Sequence, residues 1–189
     1  MVQTLTKRLF TFEEYLSYED GTDNRYELVN GELVPMNPPI GKHARIARFL
    51  FRQFDREIER LAVNWIPSWD YGVRTAERKS RLPDLVVITA EQEEALLNVS
   101  AVLQTPPLLA VEIVSEDNPA RDYRYKRSEY AVREIPEYWI VDPQKSKVTV
   151  LTLLEGLYEE QVFTGTERIV SPTFADLVLT AEQVLEARR

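Results

Sequence analysis

The chain has 189 residues, 44% hydrophobic and 29% charged, and a formal net charge of −8, the profile of a globular protein long enough for a sizeable core. It has no cysteine and one histidine, His43, which excludes disulfides, thiolate metal sites, a cysteine nucleophile and histidine-rich zinc sites. The charge argues against a nucleic-acid binder held by bulk electrostatics, though not against a local basic patch, and any metal would have oxygen ligands, as magnesium, manganese or calcium do.

No segment has the apolar core of a signal peptide or the 18 or more apolar residues of a membrane span, so a cytoplasmic, single-domain protein over residues 1–189 is expected. Thr11 with Glu14 reads as a capping box for a short helix over residues 12–19. In RYELV-NG-ELVPM, Asn30-Gly31 suits a type I′ hairpin turn, with Glu27 opposite Val34 and Val29 opposite Glu32. Glu27 and Glu32 then share one face, and Tyr26, Leu28 and Leu33 the other. A long amphipathic helix is predicted over residues 42–62, with Ala47, Leu50, Phe51, Phe54, Ile58 and Leu61 on its apolar side. Opposite them, Lys42, Arg45, Arg48, Arg52, Arg56 and Arg60 form a basic stripe. It is either a solvated face balanced by Asp55, Glu57 and Glu59, or a contact for nucleic acid or a partner. His43 points inward from the first turn, close to the direction of Phe54 and Leu61.

VNWIPSWDYGVRT reads as extended and AERKSR as a charged loop. LPDLVVIT and PLLAVEIVS follow as strands whose Val, Ile and Leu content marks burial on both faces, with a short surface helix in AEQEEALLN between them. Asp84, Val86 and Ile88 share one face of the first strand; Leu108, Ala110, Glu112 and Val114 share one face of the second. Asn118-Pro119 suits the start of a helix over residues 119–134, with Ala120, Tyr123, Tyr130 and Ala131 inward. Lys126 lies on the flank of that face, with a stem able to reach back to the sheet. PEYWIVD is a further buried strand, with Asp142 a turn residue before Pro143. KVTVLTLL-EG-LYEEQVF is a second hairpin turning at Glu155-Gly156, residues 167–179 are irregular or short-stranded, and Thr180 with Gln183 caps a last helix.

Two buried strands thus carry one carboxylate each, Asp84 and Glu112, and a buried unpaired carboxylate costs roughly several kcal/mol. A hard divalent cation, Mg2+ with Mn2+ as substitute, held by Asp84, Glu112 and the Ile113 carbonyl would compensate both. It would also suit hydrolysis of a phosphodiester, neutralising charge at phosphorus and generating hydroxide near neutral pH. A nearby lysine would orient or deprotonate the attacking water, or stabilise the phosphorane. Simpler roles are open for each residue. Asp84 could be a strand-end carboxylate facing water, Glu112 half of a buried ion pair with Lys126, His43 a satisfied core histidine or helix cap, and Tyr123 and Tyr130 packing residues.

RYELVNGELV, a histidine at the head of the next helix, PDLVV, VEIVS, the lysine and tyrosine of KRSEY, and PEYWIVDP stand in this order between residues 10 and 179. The set resembles the Uma family of bacterial restriction endonucleases, within the PD-(D/E)XK nuclease superfamily. The resemblance implies an α/β, restriction-endonuclease-like fold: a mixed β-sheet flanked by helices, with an N-terminal β-hairpin and a C-terminal β-hairpin extension. It also implies a Mg2+-dependent endonuclease acting on DNA. It places the Pro-Asp pair at Pro83-Asp84 and the second acid at Glu112. The superfamily lysine would stand two residues after that acid, where this chain has Val114, so the resemblance implies that Lys126 takes its role. Glu27, with Glu32 of the other hairpin arm as its alternative, and His43 are implied to line the site. Lys126→Ala is then expected to abolish cleavage with the fold nearly intact. The rival expectations are a catalytically inactive DNA- or partner-binding module that kept the fold, and a metal-dependent hydrolase of smaller phosphodiesters. A homodimer is expected if each subunit cuts one strand.

Overall fold

The computed structural model describes residues 8–116 and 119–188. In chain order these form α1 (Phe12–Leu16), β1 (Tyr26–Val29), β2 (Glu32–Pro35), α2 (Gly41–Leu61), β3 (Trp65–Ser68), β4 (Gly72–Ala76), β5 (Lys79–Arg81), β6 (Leu85–Thr89), α3 (Ala90–Glu94), β7 (Val102–Leu103) and β8 (Leu109–Ile113). A π-helical turn (Arg121–Lys126) then runs into α4 (Arg127–Val132), followed by β9 (Glu137–Asp142), β10 (Lys147–Leu154), β11 (Leu157–Thr164) and α5 (Ala181–Glu186). The strands divide into two mixed sheets flanked by helices, one of five strands in the order β2-β1-β5-β4-β7 and one of six in the order β11-β10-β9-β8-β6-β3. No helix among the described residues is long and apolar enough to cross a membrane.

The six-stranded sheet holds the main core because its central strands are apolar on both faces. Leu85, Val87, Leu109, Val111 and Ile113 face α2 and the C-terminal segment, while Val86, Ile88 and Ala110 face α4. Helix α2 meets the first face with Ile46, Leu50, Phe54 and Ile58, all buried at spacing four. Each such side chain contributes about 1.5–3 kcal/mol by burial. Phe54 packs edge-on to Trp139 and stacks on Phe174 with centroids 5.4 and 5.1 Å away, so residues 167–179, irregular as expected, help to close the core. The deepest face of α2 is centred one residue earlier than the sequence pattern suggests. Ile46 is fully buried, whereas Ala47, Phe51 and Leu61 are only partly covered.

Both predicted hairpins form. Asn30 and Gly31 adopt φ of 53° and 84°, the left-handed pair a type I′ turn requires, and Glu27 faces Val34 in the expected register. The capping boxes of α1 and α5 are both present, and a third, Thr89 with Gln92, caps α3. Helix α1 stops at Leu16, short of the expected residue 19. The Ser17 hydroxyl donates to the Glu13 carbonyl there, and Tyr18 turns edge-on to Phe10 and Tyr26. The surface helix in AEQEEALLN is likewise shortened to Ala90–Glu94.

The charged stretch AERKSR is not a loop. Its second half is β5, hydrogen-bonded between β1 and β4, with Ser80 and Arg81 buried. The preceding extended segment splits into β3 and β4, which belong to different sheets. Strand β7, only two residues, pairs parallel with β4. In the helix after β8, Ala120 is exposed rather than inward, and the expected Asn118 cap lies outside the described residues. Leu108 packs on the α2 side of the sheet, opposite to its expected face, because β8 begins only at Leu109.

Candidate active site

Four acids from four places in the chain converge near the C-terminal end of β8. Glu112 comes from β8 itself, on the face covered by α4. Asp84 sits one residue before β6 and is tied to β8 at two points. Its amide donates to the Val111 carbonyl at 3.1 Å, and its Oδ2 accepts from the Ile113 amide at 2.7 Å. The other oxygen, Oδ1, lies 2.9 Å from His43 Nε2, which the inward face of α2 delivers from its first turn. Glu27 arrives from β1, in the other sheet. Asp122 comes from the π-helical turn.

Lys126 occupies the centre of this group. Its Nζ is 2.7 Å from Glu112 Oε2, 3.4 Å from Glu27 Oε1 and 3.6 Å from Asp122 Oδ1. It is fully buried, rather than lying on the flank of its helix. The helix geometry explains the difference. In an α-helix, residues four apart drift about 40° around the axis at each step. The π turn under-winds the chain, so Asp122, Lys126 and Tyr130 all stay on the sheet side. Tyr130 donates to Glu112 Oε1 at 2.6 Å, a polar role beyond the packing expected of it. Tyr123 packs half-buried against the core on the α4 side of the sheet and donates to Asp142, which also accepts the amides of Gln144 and Lys145 as a turn residue should.

A second ring of charges holds Glu27. Arg81 lies 2.9 Å from Glu27 and, through two nitrogens, binds Glu129, which Lys79 also approaches at 3.1 Å. Leu82 donates its amide to Glu27 as well. Burial alone would raise the Glu27 carboxyl, but the charges of Lys126 and Arg81 outweigh it and hold it below the usual range. Glu112 goes the other way. Burial is the largest cause, Lys126 only partly offsets it, and Asp84, Asp122 and Glu27 add repulsion, so its carboxyl is pushed up to about 8. Asp122 is raised too, chiefly by burial, and neither of its oxygens has a hydrogen-bond partner. Lys126 is held firmly in its charged form by the surrounding acids.

The donor set therefore suits a hard divalent cation in its chemistry. It offers carboxylate oxygens from several elements and a buried carboxylate, Asp122, whose oxygens accept no hydrogen bond. Among the described residues no three acid or histidine side chains are arranged to hold an ion by themselves. Asp84, Glu112 and the Ile113 carbonyl could hold one only with water or substrate oxygens completing the shell, as Mg2+ usually requires.

Asp84 and His43 open onto a cleft of about 730 Å3, bounded by residues 35–40, the head of α2, Trp69 and Arg121. Glu112 and Lys126 lie beneath its floor, 2% and 0% exposed. Of the residues expected to form the site, Asp84, Glu112, Lys126, His43 and Glu27 are thus brought together, and Ile113 anchors Asp84. Glu32 stays half-buried on the neighbouring strand. Sequence reasoning missed Asp122, Arg81 and Glu129. Asp122 had a signal, since it stands four residues before Lys126. Arg81 and Glu129 had none, because their partners are about fifty residues away.

A model of the Uma2 family, described as "Putative restriction endonuclease", matches residues 12–182. An uncharacterized protein of Synechocystis sp. is 27% identical over 144 residues, 75% of this chain and 80% of that protein. A crystal structure of an Anabaena variabilis protein, described as "a putative nuclease belonging to DUF820", shares the fold with a TM-score of 0.78 at 19% identity, covering 94% of this chain and 98% of that one. The family match takes in both sheets, the four acids, Lys126 and His43, and the chain belongs to the Uma2 family.

Proposed function

We propose that this protein is a Mg2+-dependent endodeoxyribonuclease, with Mn2+ a competent substitute, hydrolysing phosphodiester bonds of DNA. The observation that carries the reading is the convergence of Asp84, Glu112, Asp122 and Glu27 around Lys126, under a cleft onto which Asp84 opens. Asp84, Glu112 and the Ile113 carbonyl would hold the cation, which when bound supplies charge neutralisation at the phosphate and a lowered pKa for water. Two backbone hydrogen bonds fix Asp84, and His43 sets the direction of its remaining oxygen. Lys126 is held protonated by its acids, so it acts as a donor that orients water or phosphate oxygens rather than as a base. Glu27, anchored by Arg81, positions Lys126 from the opposite side.

The test is nicking of supercoiled plasmid by the purified chain with Mg2+, with Mn2+ and with chelator. Metal-dependent cutting that Asp84→Asn abolishes, with an unchanged circular-dichroism spectrum, supports the proposal. Equal cutting by Asp84→Asn, or no cutting of plasmid or of single-stranded DNA by the wild type in either metal, sinks it. One observation favours a second reading. Both Glu112 oxygens are already engaged, by Tyr130 and Lys126, and the pair is sealed from the cleft, as suits a DNA-binding module that no longer cuts. Metal titration separates the two, because such a module shows no Asp84-dependent Mg2+ or Mn2+ binding. The proposal extends to a cytoplasmic homodimer cutting one strand per subunit, which light scattering tests through its mass.

A further inference from the structure

The cleft above Asp84 has the size and lining of a seat for a small segment of chain rather than for a double helix. Its volume, about 730 Å3, lies within the roughly 300–1,000 Å3 typical of small-ligand pockets. Proteins that read duplex DNA push a convex helix or ribbon into a groove about 12 Å wide. This face is concave, and Asp84 lies in its lining. An unpaired strand can bend into such a concavity without the cost of roughly a few kcal/mol for unpairing and unstacking that a duplex would carry.

The walls suit such a strand. Met36, Ile40 and Ala47 give an apolar lining, and Trp69 is 44% exposed although its ring is held against Phe51 with centroids 4.6 Å apart. A fixed but uncovered indole is a stacking platform for a base. Arg25, Arg48 and Arg121 also line the cleft. Arg48 belongs to the exposed stripe of α2 and has no partner among the described residues. The first turn of α2 carries no acid, and its cap residue Ile40 offers no side-chain acceptor, so its amides also favour an anion. Arg25 and Arg121 are paired with Asp70 and Asp122, so of the three arginines Arg48 offers the free charge to a phosphate.

We infer that the cleft binds an unpaired DNA strand, with one base stacked on Trp69 and the adjoining phosphates running past Arg48 towards Asp84. The inference rests on the nuclease reading for the choice of DNA, and makes flaps, single-stranded tails and gaps the preferred substrates. It is tested without catalysis, by fluorescence anisotropy of the full chain in chelator. The labelled probes are a ten-nucleotide single strand, a blunt duplex of the same sequence and the matching RNA. The single strand should bind at least tenfold more tightly than the duplex. Trp69→Ala should weaken it roughly 5- to 150-fold, the range that loss of one stacked base gives. Trp69→Leu, which keeps an apolar contact with Phe51 but no π-face, should show the same loss, while Trp69→Phe should keep most of the affinity. Arg48→Ala should reduce the salt slope of single-strand binding by about 0.7.

Equal or tighter binding of duplex, tighter binding of RNA, or full affinity in a folded Trp69→Leu protein would each overturn the inference. The two readings fail separately. Selective strand binding without metal-dependent cutting upholds the cleft assignment and removes the nuclease. Cutting of duplex and single strand at one rate, without selective binding, does the reverse.

Discussion

Replacing Lys126 by methionine removes the ammonium that Glu27, Glu112 and Asp122 share, while keeping most of the apolar stem. All three acids are 1–2% exposed, so bulk water screens them little once the cation is lost. Removing one partner of a buried ion pair costs about 3–5 kcal/mol. For a chain of this length each kcal/mol shifts the melting temperature by about 2–4 °C, which gives a fall of roughly 6–20 °C. The penalty should shrink in acid, because Glu112 and Asp122, both already raised, become neutral by taking up protons. Thermal melts by circular dichroism at pH 8 and pH 5.5, in chelator, measure both effects. A shift within 2 °C at pH 8, or a larger deficit at pH 5.5, would refute the reasoning. The same burial corrects the expectation that Lys126→Ala leaves the fold nearly intact. Loss of cleavage in that variant speaks to chemistry only at a temperature where the variant is shown to be folded.

Wild-type stability in chelator should itself decline across the neutral range. The folded Glu112 carboxyl titrates at about 8 against 4.5 unfolded, so its stabilising contribution is complete below 4.5 and is lost as pH rises through 8. Melting temperatures from pH 5 to 8.5 should fall, and Glu112→Gln should flatten the slope; an equally steep variant would contradict this. Arg81→Met leaves Glu27 with only Lys126 and the Leu82 amide, and Glu129 with only Lys79 and the Thr75 hydroxyl, for a loss of about 3–5 kcal/mol in urea denaturation, and an unchanged midpoint would count against the buried clamp. Tyr130→Phe deletes the 2.6 Å hydrogen bond to Glu112 and should cost about 1.5–3 kcal/mol in the same assay, with a neutral result showing that Tyr130 only packs.

What could be read from sequence and what could not divide along physical lines. The hairpins and α2 were legible because turn chemistry and helical period are local, and so was the burial of the strands bearing Asp84 and Glu112. That His43 faces inward followed from the helical angle alone. The separation into two sheets was hidden, since β5 looks like a charged loop until Glu27 and Glu129, 54 and 48 residues away, are seen to neutralise Arg81. Lys126 was placed on the flank of its helix because an α-helical wheel was assumed. The π turn that swings it fully inward has no period of its own to read. Tyr130 and Asp122 were in plain view, but their value depends on what lies across the gap.

Lys126 touches Glu27 of one sheet at 3.4 Å and Glu112 of the other at 2.7 Å, while Arg81 bolts the first sheet to the helix that carries the lysine. The site is therefore built on a seam rather than within a single scaffold. Any shift of one sheet against the other alters the distance from Lys126 to one of its acids, so the packing of the sheets and the electrostatics of the site are set together. The lysine at the centre of the site is thus also a rivet between the two halves of the fold.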